Sequence, residues 1–271
     1  MIYDYHVHSE ISFDGACSVT DCAAAAKDRG IGEICLTDHL DIGYPVKGGG
    51  CPEIDQDRYN AALEQARAAF PGVVIKKGVE AGLLGGYLGE IEQDIRINGY
   101  DFVIASQHYI VDGDPYDGDY FKNRTPQQAQ ELYLTELRDN IVQFDDYDVI
   151  GHIGYVDKYL HNYDHLTHRP RPFEFCDYPD LIDEILLSAI GKGNGIEINT
   201  SNYRVHGYPT PHPSILERYA QLGGEVLTIG SDSHSQQAVG FKIPEAMALA
   251  KSCGLGYVCT FTARKPQFHS L

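Results

Sequence analysis

Basic residues, paired cysteines and long apolar runs are all scarce in this sequence. Its 271 residues include 21 lysines and arginines against 39 aspartates and glutamates, which gives a net charge of −18. Such a charge makes a nucleic-acid backbone or an anionic membrane surface an unfavourable large partner, although a small anion can still bind in a locally positive pocket.

The seven cysteines are scattered and contain no Cys-x-x-Cys pair. This usage fits a reducing cytoplasm and argues against a disulfide framework or a thiolate zinc site. No run approaches the roughly 18 apolar residues of a spanning helix, and the N-terminus lacks the basic and apolar regions of a signal peptide. We therefore expect a soluble, cytoplasmic protein. P-loop, Gly-x-Ser-x-Gly and cysteine-nucleophile motifs are also missing.

Short runs rich in β-branched and aromatic residues alternate with longer amphipathic segments, the pattern of βαβ units around a parallel sheet. The chain is long for one ordinary domain but lies within the range of an α/β barrel, so we predict a single domain spanning residues 1–271. The predicted strands cover residues 2–8, 33–37, 73–79, 101–106, 148–152, 195–199 and 226–230.

Helices are predicted in the intervals between these strands. Several begin at a capping residue or a proline and end near a glycine, as Thr125-Pro126 and Gly30 illustrate. The predicted helices cover residues 20–29, 55–70, 90–98, 126–144, 179–192, 213–222 and 244–253. Three further segments are too long for simple connections and favour lids or binding loops: 40–54, 109–124 and 155–178.

Histidines and carboxylates recur at the ends of the predicted strands. His6 and His8 are two residues apart on one strand, so they point to the same face and can share a metal ion. In a parallel barrel the carboxyl ends of all strands meet at one rim, where such residues converge. A single histidine in the position of His108 or His152 is more often a hydrogen-bonded core residue than a metal ligand. Taken together, the pattern predicts a cluster of divalent metals, with Asp38 beside it, built from His6, His8, Asp14, His39, Glu80, His108, His152, Asp232 and His234.

The order of these motifs carries a family resemblance. His-x-His, Thr-Asp-His, Gly-Val-Glu, Ser-Gln-His, Gly-His-Ile-Gly and Ser-Asp-Ser-His follow one another along the chain. The order resembles that of the PHP (polymerase and histidinol phosphatase) family, and within it the histidinol-phosphate phosphatases, over essentially the whole sequence. The resemblance implies an α/β fold, a distorted TIM-like (βα)7 barrel, with a trinuclear metal site.

The resemblance also implies how three divalent ions would share the ligands. The first ion would be bound by His6, His8, Glu80 and Asp232, the second by Glu80, His108 and His152, and the third by Asp14, His39 and His234. Asp14 replaces the histidine of other PHP members, which favours the histidinol-phosphatase branch and harder metals. Asp38 would orient a ligand histidine. Mixed nitrogen and oxygen ligands suit Zn, Mn, Fe or Co without choosing among them.

The implied reaction is hydrolysis of a phosphomonoester. Two ions would lower the pKa of a bridging water, the hydroxide would attack phosphorus, and the third ion would stabilise the leaving alkoxide. The predicted catalytic residues are Glu80, Asp232 and His234. The predicted substrate is a small phosphorylated metabolite, and L-histidinol phosphate, from histidine biosynthesis, is the first choice.

Three residues are predicted to contact the substrate. Arg204 lies in a segment that resembles the phosphate-binding segment of histidinol phosphatases, and its guanidinium group can clamp phosphate oxygens. Lys158 follows His152 at the rim, where a basic residue also suits phosphate, and Tyr109 can line an imidazole-sized pocket. Each has a plain alternative: a surface ion pair for the two cations, and ordinary packing for one tyrosine among 19.

Other functions stay open. A PHP phosphoesterase acting on another small phosphorylated metabolite or on nucleotides would share the metals, but for nucleic-acid ends it should show a basic groove, which the composition disfavours. A metal-dependent amidohydrolase of barrel fold is a different reaction class. A non-catalytic PHP scaffold should have lost ligands, whereas every ligand position here is filled. Nothing in the sequence sets the oligomeric state.

Overall fold

Parallel strands form most of the sheet in a computed structural model that describes residues 1–45, 53–111, 113–163, 166 and 170–271. The strands are β1 (Ile2–Val7), β2 (Ile31–Leu36), β3 (His39–Leu40), β4 (Val74–Gly82), β5 (Phe102–Ser106), β6 (Val149–Ile150), β7 (Gly195–Asn199), β8 (Leu227–Gly230), β9 (Tyr257–Thr262) and β10 (Lys265–Ser270). The helices are α1 (Val19–Asp28), α2 (Gln56–Ala69), α3 (Leu88–Asn98), α4 (Pro126–Gln143), α5 (Pro179–Gly191), α6 (Tyr203–His206), α7 (Pro213–Gln221) and α8 (Ile243–Ser252).

The sheet curls into a nearly closed barrel. Its strands follow the order β1-β2-β4-β5-β6-β7-β8, and the short β3 continues the edge of β2 along β4. Between β8 and β1 the backbone of His8 donates to Ser233 O at 2.9 Å, and that of Ser233 donates to His6 O at 3.4 Å. The predicted distorted (βα)7 barrel is confirmed. That residues 1–271 act as one catalytic domain stays a prediction.

The strands are apolar at successive positions, so both faces of the sheet must be buried by other parts of the chain. Every residue of β5 is buried, and the helices that connect the strands lie on the outside. Polar anchors hold some of them: the hydroxyl of Tyr59 in α2 lies 2.8 Å from Leu36 O and 3.0 Å from Gly78 O, on two neighbouring strands. Polar side chains lie at the inner rim of the barrel.

Several boundaries differ from the predicted ones. Helix α1 begins at Val19, one residue before the predicted start, because Ser18 caps it in a reciprocal box with Asp21. Helix α6 and the antiparallel hairpin of β9 and β10 were not predicted. The hairpin turn places Ala263 and Arg264 in the left-handed region, at φ 47° and 66°. Neither residue is the asparagine or glycine that signals such a turn in a sequence.

The long segments lie around the rim. Residues 115–117, 119–121 and 155–163 form 3-10 turns. Parts of the three predicted loops, at residues 46–52, 112, 164–165 and 167–169, lie outside the described residues, and so do His165 and His168. None of the helices that the structure describes combines the length and the apolar character needed to cross a bilayer.

Candidate metal centre and active site

The strand ends bring the predicted ligands to one place because the barrel strands are parallel. Glu80 lies near the end of β4, deep in the rim, and is 1% exposed. Five imidazole rings surround its carboxylate, with nitrogen–oxygen distances between 2.8 and 3.3 Å. The five are His6 (3.3 Å), His8 (3.3 Å), His39 (3.1 Å), His108 (3.2 Å) and His152 (2.8 Å).

Three groups of side chains have ligand atoms within 4.8 Å of one another. The first group is His6, His8 and Asp232; the second is His39, Glu80 and His108; the third is His8, Asp14, His39 and His234. The structure therefore brings all nine predicted ligands together, counting His152 beside Glu80. The grouping differs in detail from the predicted sets, because His39 lies near Glu80 as well as near Asp14.

The contacts within these groups fit bound cations. Nε2 of His6 lies 3.0 Å from Nε2 of His8, and Nε2 of His108 lies 3.4 Å from Nε2 of His152. Paired ring nitrogens in a buried site leave lone pairs facing one another unless a cation or a proton lies between them. Nδ1 of His39 is buried and lies 3.1 Å from Glu80 Oε2, yet within the described residues it makes no contact with the geometry of a hydrogen bond. These nitrogens and the carboxylates form the mixed donor set that Zn, Mn, Fe and Co accept.

Opposing charges shift the pKa values of the centre. Burial raises the pKa of Glu80, but the neighbouring imidazoles outweigh it and hold this pKa well below its usual range. Burial lowers the pKa of His6, and the carboxylates of Glu197, Glu80 and Asp232 raise it well above the usual value. At His152 burial is the largest effect and outweighs the carboxylate of Glu80, so this pKa is lowered. The carboxylates thus remain ionised, as metal ligands must.

Asp38 contacts the predicted ligand His8 indirectly, through the residues of a turn that follows β1. Its Oδ1 accepts hydrogen bonds from the backbone of Ser9 at 2.7 Å and from the hydroxyl of Ser12 at 2.8 Å. The same Ser12 oxygen lies 3.2 Å from Nδ1 of His8. Asp38 therefore reaches His8 through Ser12, an indirect contact that can orient the imidazole.

Other polar residues at the centre were not predicted. Oδ1 of Asp41 lies 3.4 Å from Nδ1 of His108, and the hydroxyl of Ser106 donates to Glu80 Oε1 at 2.7 Å. Oε1 of Glu197 lies 2.6 Å from Nδ1 of His6. The sequence did carry a signal for Glu197, which is a charged residue inside the apolar strand β7 (GIEIN).

A cavity of about 470 Å³ opens above the centre. Lys158 lines it, and its ammonium group lies 2.8 Å from Oδ2 of Asp232. The other two predicted substrate contacts do not line it. Tyr109 packs edge-on against Tyr44, which does line the cavity, and the exposed Arg204 lies with its guanidinium carbon 4.1 Å from the ring centre of Phe241.

Comparison with known proteins identifies the family. The PHP domain model matches residues 4–201, and the histidinol-phosphatase of Lactococcus lactis is 30% identical over 97% of this chain and 95% of its own length. A probable histidinol-phosphatase of Clostridium acetobutylicum is 28% identical over 94% of this chain and 95% of its own. The chain belongs to the PHP domain family.

Solved structures narrow the identification. The crystal structure of the Lactococcus lactis histidinol phosphate phosphatase, complexed with zinc, L-histidinol and phosphate, covers 98% of both chains at a TM-score of 0.87 and 30% identity. A Listeria monocytogenes structure shares the fold, at a TM-score of 0.73 and 18% identity, over 90% of this chain and 99% of its own. These findings confirm the predicted family and enzyme class, a metal-dependent phosphoric monoester hydrolase of the histidinol-phosphatase type.

Proposed function

We propose that this protein hydrolyses L-histidinol phosphate to L-histidinol and inorganic phosphate. The observation that carries the proposal is the floor of the cavity, where Glu80 lies among five imidazoles with Lys158 beside them. A buried acid among so many histidines fits divalent ions, and a cation at the wall fits a phosphate. The likeness to histidinol-phosphatases over nearly the whole chain supports the choice of substrate.

We further propose that three divalent ions occupy the centre, from among Zn, Mn, Fe and Co. The first ion would be bound by His6, His8 and Asp232. The second would be bound by Glu80, His108 and His152, and the third by Asp14, His39 and His234. Bound there, such ions would supply an activated water at neutral pH and neutralise phosphate charge.

The remaining roles belong to the side chains of the cavity. We propose that Lys158 binds a phosphate oxygen through its ammonium group, which the pocket already holds in place. The imidazole of His234 is 35% exposed, lines the cavity, and lies with Nε2 2.9 Å from Asp14 Oδ2. This position at the cavity wall supports our proposal that His234 is a catalytic residue that faces the leaving group. Burial of the floor excludes bulk water from Glu80.

The side chains at the outer wall of the cavity are suited to a cationic leaving group. The hydroxyls of Tyr44 and Tyr155 donate to the buried carboxylate of Asp114, and Tyr116 and Asp117 line the cavity at its exposed edge. Aromatic rings with carboxylates between them favour an imidazole or an ammonium group. L-Histidinol carries both groups, whereas sugar and nucleotide monophosphates bring further hydroxyls or negative charge to this wall.

A phosphate-release assay tests the proposal. Purified protein of measured metal content would be assayed with L-histidinol phosphate and with a panel of sugar and nucleotide monophosphates. We expect the highest kcat/KM for L-histidinol phosphate. A better sugar or nucleotide substrate would overturn this choice and leave a PHP phosphatase of another metabolite. Turnover of cyclic amides without phosphate release would instead indicate an amidohydrolase, and no turnover at full metal content would indicate a non-catalytic scaffold.

A further inference from the structure

Glu197 is a buried carboxylate that the proposed chemistry leaves without a role. It is fully buried in the middle of β7, where its neighbours in sequence are Ile196 and Ile198. An ionised side chain is costly to bury unless donors satisfy both of its oxygens. Its place in the strand is therefore explained only by the groups that it contacts.

The two oxygens of Glu197 serve two different ligand histidines. Oε1 lies 2.6 Å from Nδ1 of His6, which belongs to β1. Oε2 accepts a hydrogen bond from the backbone N–H of His152 at 3.0 Å, and a further one from Nδ2 of Asn199 at 3.3 Å. One carboxylate thus connects a histidine of the first ligand group with a histidine beside Glu80.

The contact with His6 selects the tautomer of its ring. A carboxylate can only accept hydrogen bonds, so Nδ1 of His6 must carry the proton. Nε2 is then left with its lone pair, and it points at the centre, 3.3 Å from Glu80 Oε2 and 3.7 Å from Asp232 Oδ1. A neutral ring in this tautomer is the form that binds a metal.

Gly230 makes room for this contact. It ends β8, the strand that lies between β7 and β1 around the barrel. A Cβ atom at position 230 would lie 2.2 Å from Cβ of His6 and 2.4 Å from Oε1 of Glu197. Any larger residue would force the two side chains apart, so the glycine and the carboxylate form one unit.

We propose that Glu197 is a positioning residue, which fixes the tautomer and orientation of His6 and the backbone of His152 for metal binding. It does not touch the substrate or the reacting atoms, because both of its oxygens are already engaged. The proposal rests on the proposed function only in taking the centre to bind divalent ions. Glutamine cannot replace Glu197, since its amide nitrogen donates and one of the two histidines would lose its acceptor.

Zinc binding to Glu197→Gln and Glu197→Ala, measured by competition with a chromogenic chelator, tests the proposal without any substrate. We expect the affinity for Zn²⁺ to fall by about 10- to 100-fold, with a larger loss for the alanine variant. The matched control is Glu184→Gln, the same change at an exposed residue that pairs with Arg138, and its affinity should equal that of the wild type. Affinities within twofold of the wild type for both Glu197 variants would overturn the proposal.

A second measurement needs no variant. Nitrogen-15 NMR of the histidine rings in the zinc-loaded wild-type protein should show His6 protonated at Nδ1 and bound to the metal through Nε2. A proton on Nε2 of His6, with Nδ1 unprotonated, would overturn the proposal even if the variants failed to fold. Activity on L-histidinol phosphate is not part of either readout, so failure of the proposed substrate leaves both tests standing.

Discussion

The ammonium group of Lys158 lies 2.8 Å from Oδ2 of Asp232, and both side chains line the cavity. Asp232 holds this position from a left-handed backbone, at φ 51°, which few residues other than glycine adopt. Burial lowers the pKa of Lys158, but Asp232 outweighs it, and the pKa is raised. A fixed positive charge therefore stands beside a metal-ligand candidate, where a substrate phosphate would meet it.

Replacement of Lys158 by methionine should weaken phosphate binding while keeping the apolar stem of the side chain. Hydrogen bonds to charged groups contribute about 1.5–3 kcal/mol, so we expect kcat/KM for L-histidinol phosphate to fall by roughly 10- to 100-fold. Metal content, measured on the same preparation, should stay unchanged. An unaltered kcat/KM would remove Lys158 from the phosphate site.

Arg204→Ala tests the second predicted phosphate contact. The guanidinium group packs on Phe241 outside the cavity, so from this position we expect a change in KM of less than about twofold. The same kinetic assay as for Lys158→Met serves here, and metal content is again the control. A clear rise in KM with normal metal content would show that Arg204 leaves Phe241 to meet the phosphate, as the sequence resemblance predicts.

Residues at strand ends were predictable because their placement follows from one rule. Once β1 and β4 are recognised as parallel strands of a barrel, His6 and Glu80 must approach the same rim whatever the connecting helices do. The periodicity of the sequence is enough to recognise such strands. The ligand cluster was therefore the best-predicted part of the molecule.

The direction of Arg204 could not be predicted, because it depends on a contact far along the chain. The four-residue helix α6 is too short to leave a periodic pattern, and the ring of Phe241 belongs to the segment before α8. The hairpin turn at Ala263 was missed for a related reason, since tertiary contacts impose the left-handed backbone there. Its neighbour Arg264 donates to the buried Asp148, a partner that no local pattern reveals.

Glu80→Gln should abolish most of the turnover and leave the fold intact. Glutamine keeps the shape of the side chain but removes the negative charge that five imidazoles surround. We expect kcat to fall by more than about 100-fold, a larger loss than the 10- to 100-fold typical of residues behind the ligands. Far-UV circular dichroism would check the fold. Turnover equal to that of the wild type would contradict a metal centre built on Glu80.

Chelation should lower the thermal stability. An ion that binds only the folded state contributes about 2.7 kcal/mol when its free concentration is 100 times the Kd. Its removal also takes away positive charge beside the carboxylates of Asp14, Glu80 and Asp232, which the imidazoles and Lys158 replace only in part. We expect Tm to fall on addition of chelator and to recover with Zn²⁺ or Mn²⁺. Calorimetry of the Glu80→Gln variant, which should show a smaller shift, is the control. An equal Tm with and without chelator would speak against the centre.

Asp148 should make stability fall as the pH rises from about 4 to about 6. Burial raises the pKa of this carboxyl group, against the opposing charge of Arg264, to about 6. The pKa in the unfolded chain is about 3.9, so between these values the folded state binds more protons than the unfolded state. The contribution is fully present below about pH 4 and is lost as the pH passes about 6. The two pKa values differ by about 2, which corresponds to about 3 kcal/mol of stability between the two limits.

Asp148→Asn isolates this contribution because asparagine does not titrate. Unfolding by urea, with excess chelator to remove metal linkage, would give the free energy of unfolding of both proteins from pH 4 to pH 7. Asparagine keeps an acceptor for the backbone N–H of Val103 but loses the ion pair with Arg264, so a constant offset is expected at every pH. Beyond this offset, the free energy of unfolding of the variant should rise by about 2 kcal/mol relative to that of the wild type between pH 4 and pH 7. Asp145→Asn, the same change at an exposed neighbour, is the matched control. A difference between variant and wild type that stays constant from pH 4 to pH 7 would mean that Asp148 titrates alike in the folded and unfolded chains.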